Sequence, residues 1–355
     1  MIKILIVDDS AVIREYLSYL FSSEPDFQVI GIACNGKEAV EMNKEKLPDI
    51  VIMDVNMPVM DGFEATRRIM ETRAIPVLII SATCDPTEIG TSFRAMEAGA
   101  LMILEKPTGI SHAGYEKTVG ELLRLARLMA EVKVVTRRTT KSEKKEPDRS
   151  HELQLRELEP DHFELVTIGT STGGPVVLQR ILSQLPAQFP IPILIVQHIS
   201  QGFLAGMVEW LDQITPLKVR IAQNAERLLP GNVYLAPEGF QVGIVKNHDL
   251  MIRLTRDFSN PSFCPSVAEM FRSVTNTLAP NIIGILLTGM GDDGARELKK
   301  MRDLGGVTIA QNEESCIVYG MPKVAVESGA AKYILNPDEI AASLTNLMRT
   351  SKMRK

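Results

Sequence analysis

Short apolar runs alternate with amphipathic stretches along most of the chain. In the first 128 residues, "IKILIVDD", "QVIGIAC", "DIVIMDV", "IPVLIISA" and "LMILEKP" are near-continuous apolar runs of strand length, the pattern of strands buried on both faces of a sheet. Between them, residues 11–23, 36–46, 62–72, 86–98 and 115–130 space their apolar positions as one face of a helix does. Five βα units of this length predict a doubly wound parallel sheet. From residue 162 the alternation resumes. "FELVTIGT", "IPILIVQH", "LKVRIA", "GNVYLAP", "DLMIRLT", "NIIGILLTG" and "GGVTIAQ" read as strands, and 175–185, 202–212, 265–278, 293–304, 321–328 and 337–349 as helices. The pattern predicts an α/β chain of two domains, 1–128 and 162–355, the second not a repeat of the first.

The stretch between them, 129–161, breaks the pattern. "TRRTTKSEKKEPDRSHELQLRELEPD" is charged, poor in apolar residues and free of aromatics, as a solvated linker is, with a short helix expected at 151–158. The acids interleaved among its basic residues argue against a nucleic-acid-binding arm. So does a net charge of −5 over 355 residues, which gives no broad basic surface. A DNA-binding output domain should carry a helix-turn-helix and a basic face, whereas residues 162–355 read as α/β with several strands. Cys34, Cys84, Cys264 and Cys316 are scattered without CxxC spacing and are expected to be reduced and mostly buried, as in a cytoplasmic protein. The N-terminal run reads as a strand rather than a signal peptide, and no run of 18 apolar residues suggests a membrane span.

In an open parallel sheet the carboxyl ends of the strands face one crevice. Asp8 and Asp9 end the first predicted strand, Asp54 ends the third with Asn56 just beyond, Ser81 ends the fourth, and Lys106 ends the fifth before Pro107. Acids gathered so closely call for a counter-ion, and hard oxygen donors suit Mg²⁺. A metal-bridged carboxylate facing a lysine can accept a phosphoryl group, because both cations offset the charge that develops. "VDDS", "DVNMPVMDG", "ISA" and "EKP" resemble the response-regulator receiver domains, with their flavodoxin-like fold, over residues 2–123. The resemblance implies Asp54 as phospho-acceptor, Asp8 and Asp9 as the acidic pair, Asp8, Asp9, Asp54 and the Asn56 backbone as the Mg²⁺ site, and Ser81 and Lys106 as switch residues. Ile103 departs from it, standing where many receivers carry an aromatic residue.

In the second domain, "ELVTIGTSTGGPVVLQRIL" runs an apolar strand into a Gly-rich turn and a helix. A P-loop would need a lysine and a dinucleotide fingerprint would need GxGxxG, and neither is present. A nucleophile elbow fits better: Ser171 stands in a strand-to-helix turn among small residues, Gly173 and Gly174 leave room for a substrate, and the helix N-terminus favours negative charge forming nearby. A serine nucleophile needs a base, and His198 ends the next strand. The base needs an orienting acid. "LLTGMGDDGARELKKM" offers Asp292 and Asp293 in a second Gly-rich turn, and spacing alone does not choose between them; either could instead cap the helix from Ala295. Backbone N–H groups at Met290 and in the 170–174 turn, Thr172 among them, are candidate oxyanion donors.

"IGTSTGGP", "VQHI…GF", "LLPGNVYLAP", "ILLTGMGDDGA" and "AQNEESCIVYGMPKVA" resemble the CheB-type protein-glutamate methylesterases of chemotaxis. With the receiver in front, the resemblance covers nearly the whole chain apart from the linker. It implies a doubly wound parallel-sheet serine esterase domain with Ser171 as nucleophile, His198 as base and Asp293 as third member. It implies hydrolysis of glutamyl methyl esters on methyl-accepting chemoreceptors with release of methanol, deamidation of receptor glutamines, no cofactor for the esterase reaction, and a histidine kinase as phosphodonor to a cytoplasmic monomer. Phosphorylation of Asp54 is expected to relieve inhibition of the esterase. Departures at Gln241, Cys264, Ala268 and the "ISQGFLAG" loop are expected to strip charge and polarity from substrate-contacting loops.

Overall fold

The computed structural model describes residues 1–81, 100, 102–107, 115–132, 163–200, 202–256 and 264–353. The expected helix at 86–98 and the short helix at 151–158 lie outside them, as does Cys84. The chain divides into two compact units, Met1–Glu143 and Lys144–Lys355.

The first unit begins with β1 (Ile2–Val7), α1 (Ala11–Ser22), β2 (Phe27–Ala33), α2 (Gly36–Lys46), β3 (Ile50–Asp54), α3 (Gly62–Thr72) and β4 (Val77–Ser81), and continues through β5 (Met102–Glu105) and α4 (Tyr115–Ala130). The five strands form a parallel sheet in the order β2-β1-β3-β4-β5. Every residue of β3 and β4 is buried, which is why those runs carry no alternation: both faces are covered by helices. Two of the helices start on side-chain caps. Asn35 accepts the Glu38 N–H at 3.0 Å and Asp61 accepts the Glu64 N–H at 2.8 Å. Because β1 lies between β2 and β3, the strand order reverses there, and the crevice opens at the carboxyl ends of β1 and β3.

The second unit runs β6 (Leu165–Thr170), α5 (Gly174–Leu182), β7 (Ile193–Gln197), α6 (Leu204–Ile214), β8 (Lys218–Ile221), β9 (Asn232–Leu235), β10 (Gln241–Lys246) and β11 (Leu250–Thr255). It continues with α7 (Val267–Leu278), β12 (Ile282–Leu286), α8 (Ala295–Asp303), β13 (Val307–Gln311), α9 (Met321–Glu327), β14 (Tyr333–Leu335) and α10 (Pro337–Met353). Seven strands form a parallel sheet in the order β14-β13-β12-β6-β7-β9-β8. β6 is central, the chain winds from it in both directions, and the switch point falls between β6 and β12.

Two elements depart from the expected pattern. β10 was not anticipated, and it pairs antiparallel with β11 as a separate two-stranded hairpin. Gly243 interrupts its apolar run because the Ser273 side chain of α7 takes the space a side chain would need; a Cβ there would stand 2.4 Å from Ser273 Oγ. β14 is three residues long, too short to register as a strand. Cys34, Cys264 and Cys316 are half-buried rather than fully buried.

Candidate active site

At the carboxyl edge of the first sheet, Asp8 and Asp54 are almost fully buried, at 0% and 5% exposure. Lys106 Nζ bridges them, 2.8 Å from Asp8 Oδ2 and 2.9 Å from Asp54 Oδ1. Each carboxylate is also held by the backbone: Asp8 accepts the Ser10 N–H at 2.9 Å and Asp54 accepts the Val55 N–H at 2.8 Å. Burial pushes Asp54 above the ordinary carboxylate range, and the charge of Asp8 adds to it; Lys106 and the Val55 N–H offset only part. Burial alone would lower Lys106, but Asp8 and Asp54 more than compensate and raise it. Asp8, Asp9 and Asp54 bring carboxylate oxygens within 4.8 Å of one another. That is a set of hard, anionic donors that suits a small divalent cation. Asn56 is exposed on the loop beyond Asp54. Ser81 is buried, and its carbonyl accepts the Lys106 N–H at 2.7 Å, so the lysine is positioned through the backbone of the neighbouring strand end. Ile103 is buried on β5.

At the switch point of the second sheet, β6 ends at Thr170 and Ser171 begins the turn into α5. Ser171 is 9% exposed, and its N–H donates to Thr288 O at 3.0 Å, tying the turn after β6 to the turn after β12. Thr288 holds these turns together. Its carbonyl also accepts the Thr170 hydroxyl at 3.0 Å, its hydroxyl donates to Thr172 O at 3.0 Å, and it accepts the Val318 N–H at 2.9 Å. Gly173 caps α5 with φ at +79°, a left-handed conformation that glycine adopts without steric cost. The space beside the two glycines is occupied by protein, contrary to the expectation that it admits substrate. A Cβ on Gly173 would meet Ile317 at 2.7 Å, and one on Gly174 would meet Gln197 Oε1 at 2.1 Å. Gly289 is pressed against the turn that carries Ser171; a Cβ on it would stand only 2.7 Å from Ser171 Cβ.

His198 leaves β7 next to this turn, with its N–H on Thr170 O at 3.0 Å. Its Nε2 lies 3.0 Å from Asp293 Oδ2. Asp293 does not cap its own helix: Gly294 is the N-cap of α8. It caps α7 instead. Oδ1 accepts the Ser266 hydroxyl and the Ala268 N–H, each at 3.0 Å, and Oδ2 accepts the Val267 N–H at 2.7 Å. Burial would raise the Asp293 carboxyl; His198 and the N–H groups of Ala268 and Val267 outweigh burial and hold it below the ordinary carboxylate range. Asp292 is exposed. The N–H groups of Thr172 and Met290 donate to no acceptor among the described residues, whereas that of Ser171 is already engaged. On the loop beside Thr288, burial and then Glu313 push the Cys316 thiol up to about 12, which disfavours its thiolate.

Two of the departures, Gln241 and Ala268, bear on the start of α7 beside Asp293. Gln241 is 6% exposed, and its Oε1 accepts the Ser266 N–H at 2.8 Å, so it steadies the residue that steadies Asp293. Ala268 contributes only its N–H to Asp293, which any residue but proline supplies. Cys264 is half-buried ahead of α7. Ser266 and Thr288 were not singled out in the sequence. The available signal was Ser266 followed by Glu269, the spacing of a helix start, and a threonine among the glycines of "LLTGMG".

A parallel-sheet unit with an acidic crevice bridged by a lysine, followed by a doubly wound unit with a serine-bearing strand-to-helix turn at its switch point, defines a two-domain α/β protein with a hydrolase-like site. Family comparison gives the particular kind. The CheB methylesterase model matches residues 166–344 and the response regulator receiver domain model matches 4–113. The chain is 47% identical over 349 residues to a protein-glutamate methylesterase/protein-glutamine glutaminase of Syntrophus aciditrophicus, covering 98% of each. It is 45% identical over 347 residues to one from Geobacter metallireducens, covering 98% of this chain and 99% of that one. Among solved structures, the CheB methylesterase catalytic domain of Thermotoga maritima matches with a TM-score of 0.51 at 36% identity, covering 52% of this chain and 98% of that domain. The chain belongs to the CheB methylesterase family.

Proposed function

We propose that this chain is a phosphorylation-controlled protein-glutamate methylesterase, hydrolysing γ-glutamyl methyl esters on chemoreceptors with release of methanol, and that it also deamidates receptor glutamines. The observation that carries the reading is the convergence of three strand-end turns: Ser171 after β6, His198 after β7, and Asp293 after β12 with its carboxylate 3.0 Å from the imidazole. Because Nε2 faces Asp293, Nδ1 is the nitrogen left to take the serine proton. Ser171 Oγ adds to the ester carbonyl as that proton passes to His198. The N–H groups of Thr172 and Met290 receive the charge on the carbonyl oxygen. Collapse expels the methoxy group, which leaves as methanol with the proton from His198. Water, deprotonated by the same imidazole, then cleaves the glutamyl-serine ester and frees the glutamate carboxylate. With a glutamine, ammonia leaves in place of methanol.

Asp54 is the proposed phospho-acceptor, supplied by a histidine kinase, with Lys106 and Ser81 contacting the phosphoryl oxygens. Asp8, Asp9, Asp54 and the Asn56 backbone would hold Mg²⁺, which when bound offsets the negative charge of carboxylates and phosphoryl group. The proposed setting is the cytoplasm, as a monomer; no helix among the described residues is long and apolar enough to cross a membrane. The test is methanol release from receptor-containing membranes bearing methyl esters, with mass spectrometry of the receptor sites. Loss of methyl groups dependent on the chain supports the reading, and unchanged sites contradict it.

A further inference from the structure

Gln197 closes β7, five residues long and otherwise entirely apolar, and is 4% exposed. Its side-chain Nε2 donates two hydrogen bonds, to Ser171 O at 2.7 Å and to His198 O at 2.8 Å. One amide thus joins the turn that carries the nucleophile to the turn that carries the base. The orientation is set by the acceptors, since the reversed amide would press Oε1 against two carbonyl oxygens. In the orientation present, Oε1 is buried without a hydrogen-bond partner among the described residues. A buried amide oxygen left unpaired is costly, and the two donated bonds offset that cost only while both turns stay where they are. Gly174 completes the arrangement. A Cβ there would stand 2.1 Å from Gln197 Oε1 and 2.4 Å from Thr170 Oγ1, so the first residue of α5 leaves the clamp its space.

We infer that Gln197 is a positioning residue for the reaction: by holding the Ser171 and His198 carbonyls on one NH₂ group, it fixes the distance and angle between nucleophile and base, and Gly174 is the residue that admits it. The inference rests on the esterase reading above and deepens it. Gln197 touches neither substrate nor the reacting atoms. Its effect therefore falls on the chemical step and leaves substrate binding alone, since misplacing a reacting group by about 1 Å costs roughly 100-fold.

The test uses the full chain acting on methylated receptor membranes, with kcat expressed per serine titrated by a fluorophosphonate. This normalisation removes any loss of folded enzyme. Gln197→Leu, close in size but without donors, is expected to lower kcat roughly 10- to 100-fold with KM unchanged. Gly174→Ala, whose Cβ would displace the Gln197 amide and also press on Thr170 Oγ1, should lower kcat as well. Gln197→Glu gives a pH signature. The introduced carboxyl is buried, so its pKa is raised. Protonated, it can donate to one of the two carbonyls; ionised, it donates to neither. The ratio of variant to wild-type kcat should therefore fall as pH rises. A Gln197→Leu kcat within twofold of wild type per titrated site, or a flat ratio for Gln197→Glu, would overturn the inference. Wild type measured alongside separates the two levels: no methanol from wild type overturns the esterase reading together with this one, whereas active wild type with unaffected variants overturns the clamp alone.

Discussion

The roles of individual residues follow from what each carboxylate touches. Asp292 is exposed, while Asp293 lies against His198 and under three donors of α7. Asp293→Asn should lower kcat by roughly 10⁴, the size of a wrong-tautomer effect. Asp292→Asn should leave kcat within a few-fold, and steady-state methanol release reads both. Asp54 has the opposite electrostatic sense. Its folded pKa is raised, chiefly by burial, so its protonated form is favoured by folding, and that contribution is lost as pH rises through the raised value. At neutral pH its charge works against folding. Asp54→Asn removes that charge while Lys106 keeps Asp8 at 2.8 Å. The first unit should be more stable at pH 7, and the gain should shrink at lower pH as the Asp54 carboxyl takes up its proton. Calorimetry of the full chain at pH 7 and at lower pH checks this.

At the scale of elements, the fold reuses one device: a strand ends, a turn exposes its backbone, and a helix begins. Asp293 is the exception that couples two such units, because it caps α7 from the turn before α8. Its lowered pKa means that its contribution to stability is present above the unfolded value, about 3.9, and is lost as pH falls through the folded value. Ser266→Ala removes the N-cap of α7 and one hydrogen bond to Asp293. It should cost about 1 kcal/mol in denaturant unfolding and slow methanol release by less than Asp293→Asn does.

Much at this scale was legible in the sequence. Apolar runs long enough for buried strands, each closed by a polar residue, located Ser171, His198, Asp8 and Asp54 at one edge of their sheets. β10 was not legible, because Gly243 answers to Ser273 of a helix far along the chain. Nor was the capping of α7 by Asp293, a contact across 25 to 27 residues. Gln197 read as part of a strand, because nothing local marks a side chain that turns back onto two carbonyls.

For the whole molecule, the chain joins an acidic crevice, proposed here to accept a phosphoryl group, to a Ser-His-Asp cluster proposed to carry out acyl transfer. If the first controls the second, a small-molecule phosphodonor should raise the rate of methanol release. Asp54→Ala should abolish that rise and keep the basal rate, because Asp54 belongs to the first unit and Ser171 to the second. An undiminished response in Asp54→Ala would place the phospho-acceptor elsewhere. The central claim, that Ser171 is the nucleophile of a methylesterase, is tested most directly by methanol release from methylated receptor membranes by wild type and Ser171→Ala, compared at equal folded protein. Triad serines contribute on the order of 10⁶ in rate, so the account predicts no release above background from Ser171→Ala beside a steady rate from wild type; retention of more than about a tenth of the wild-type rate would contradict it.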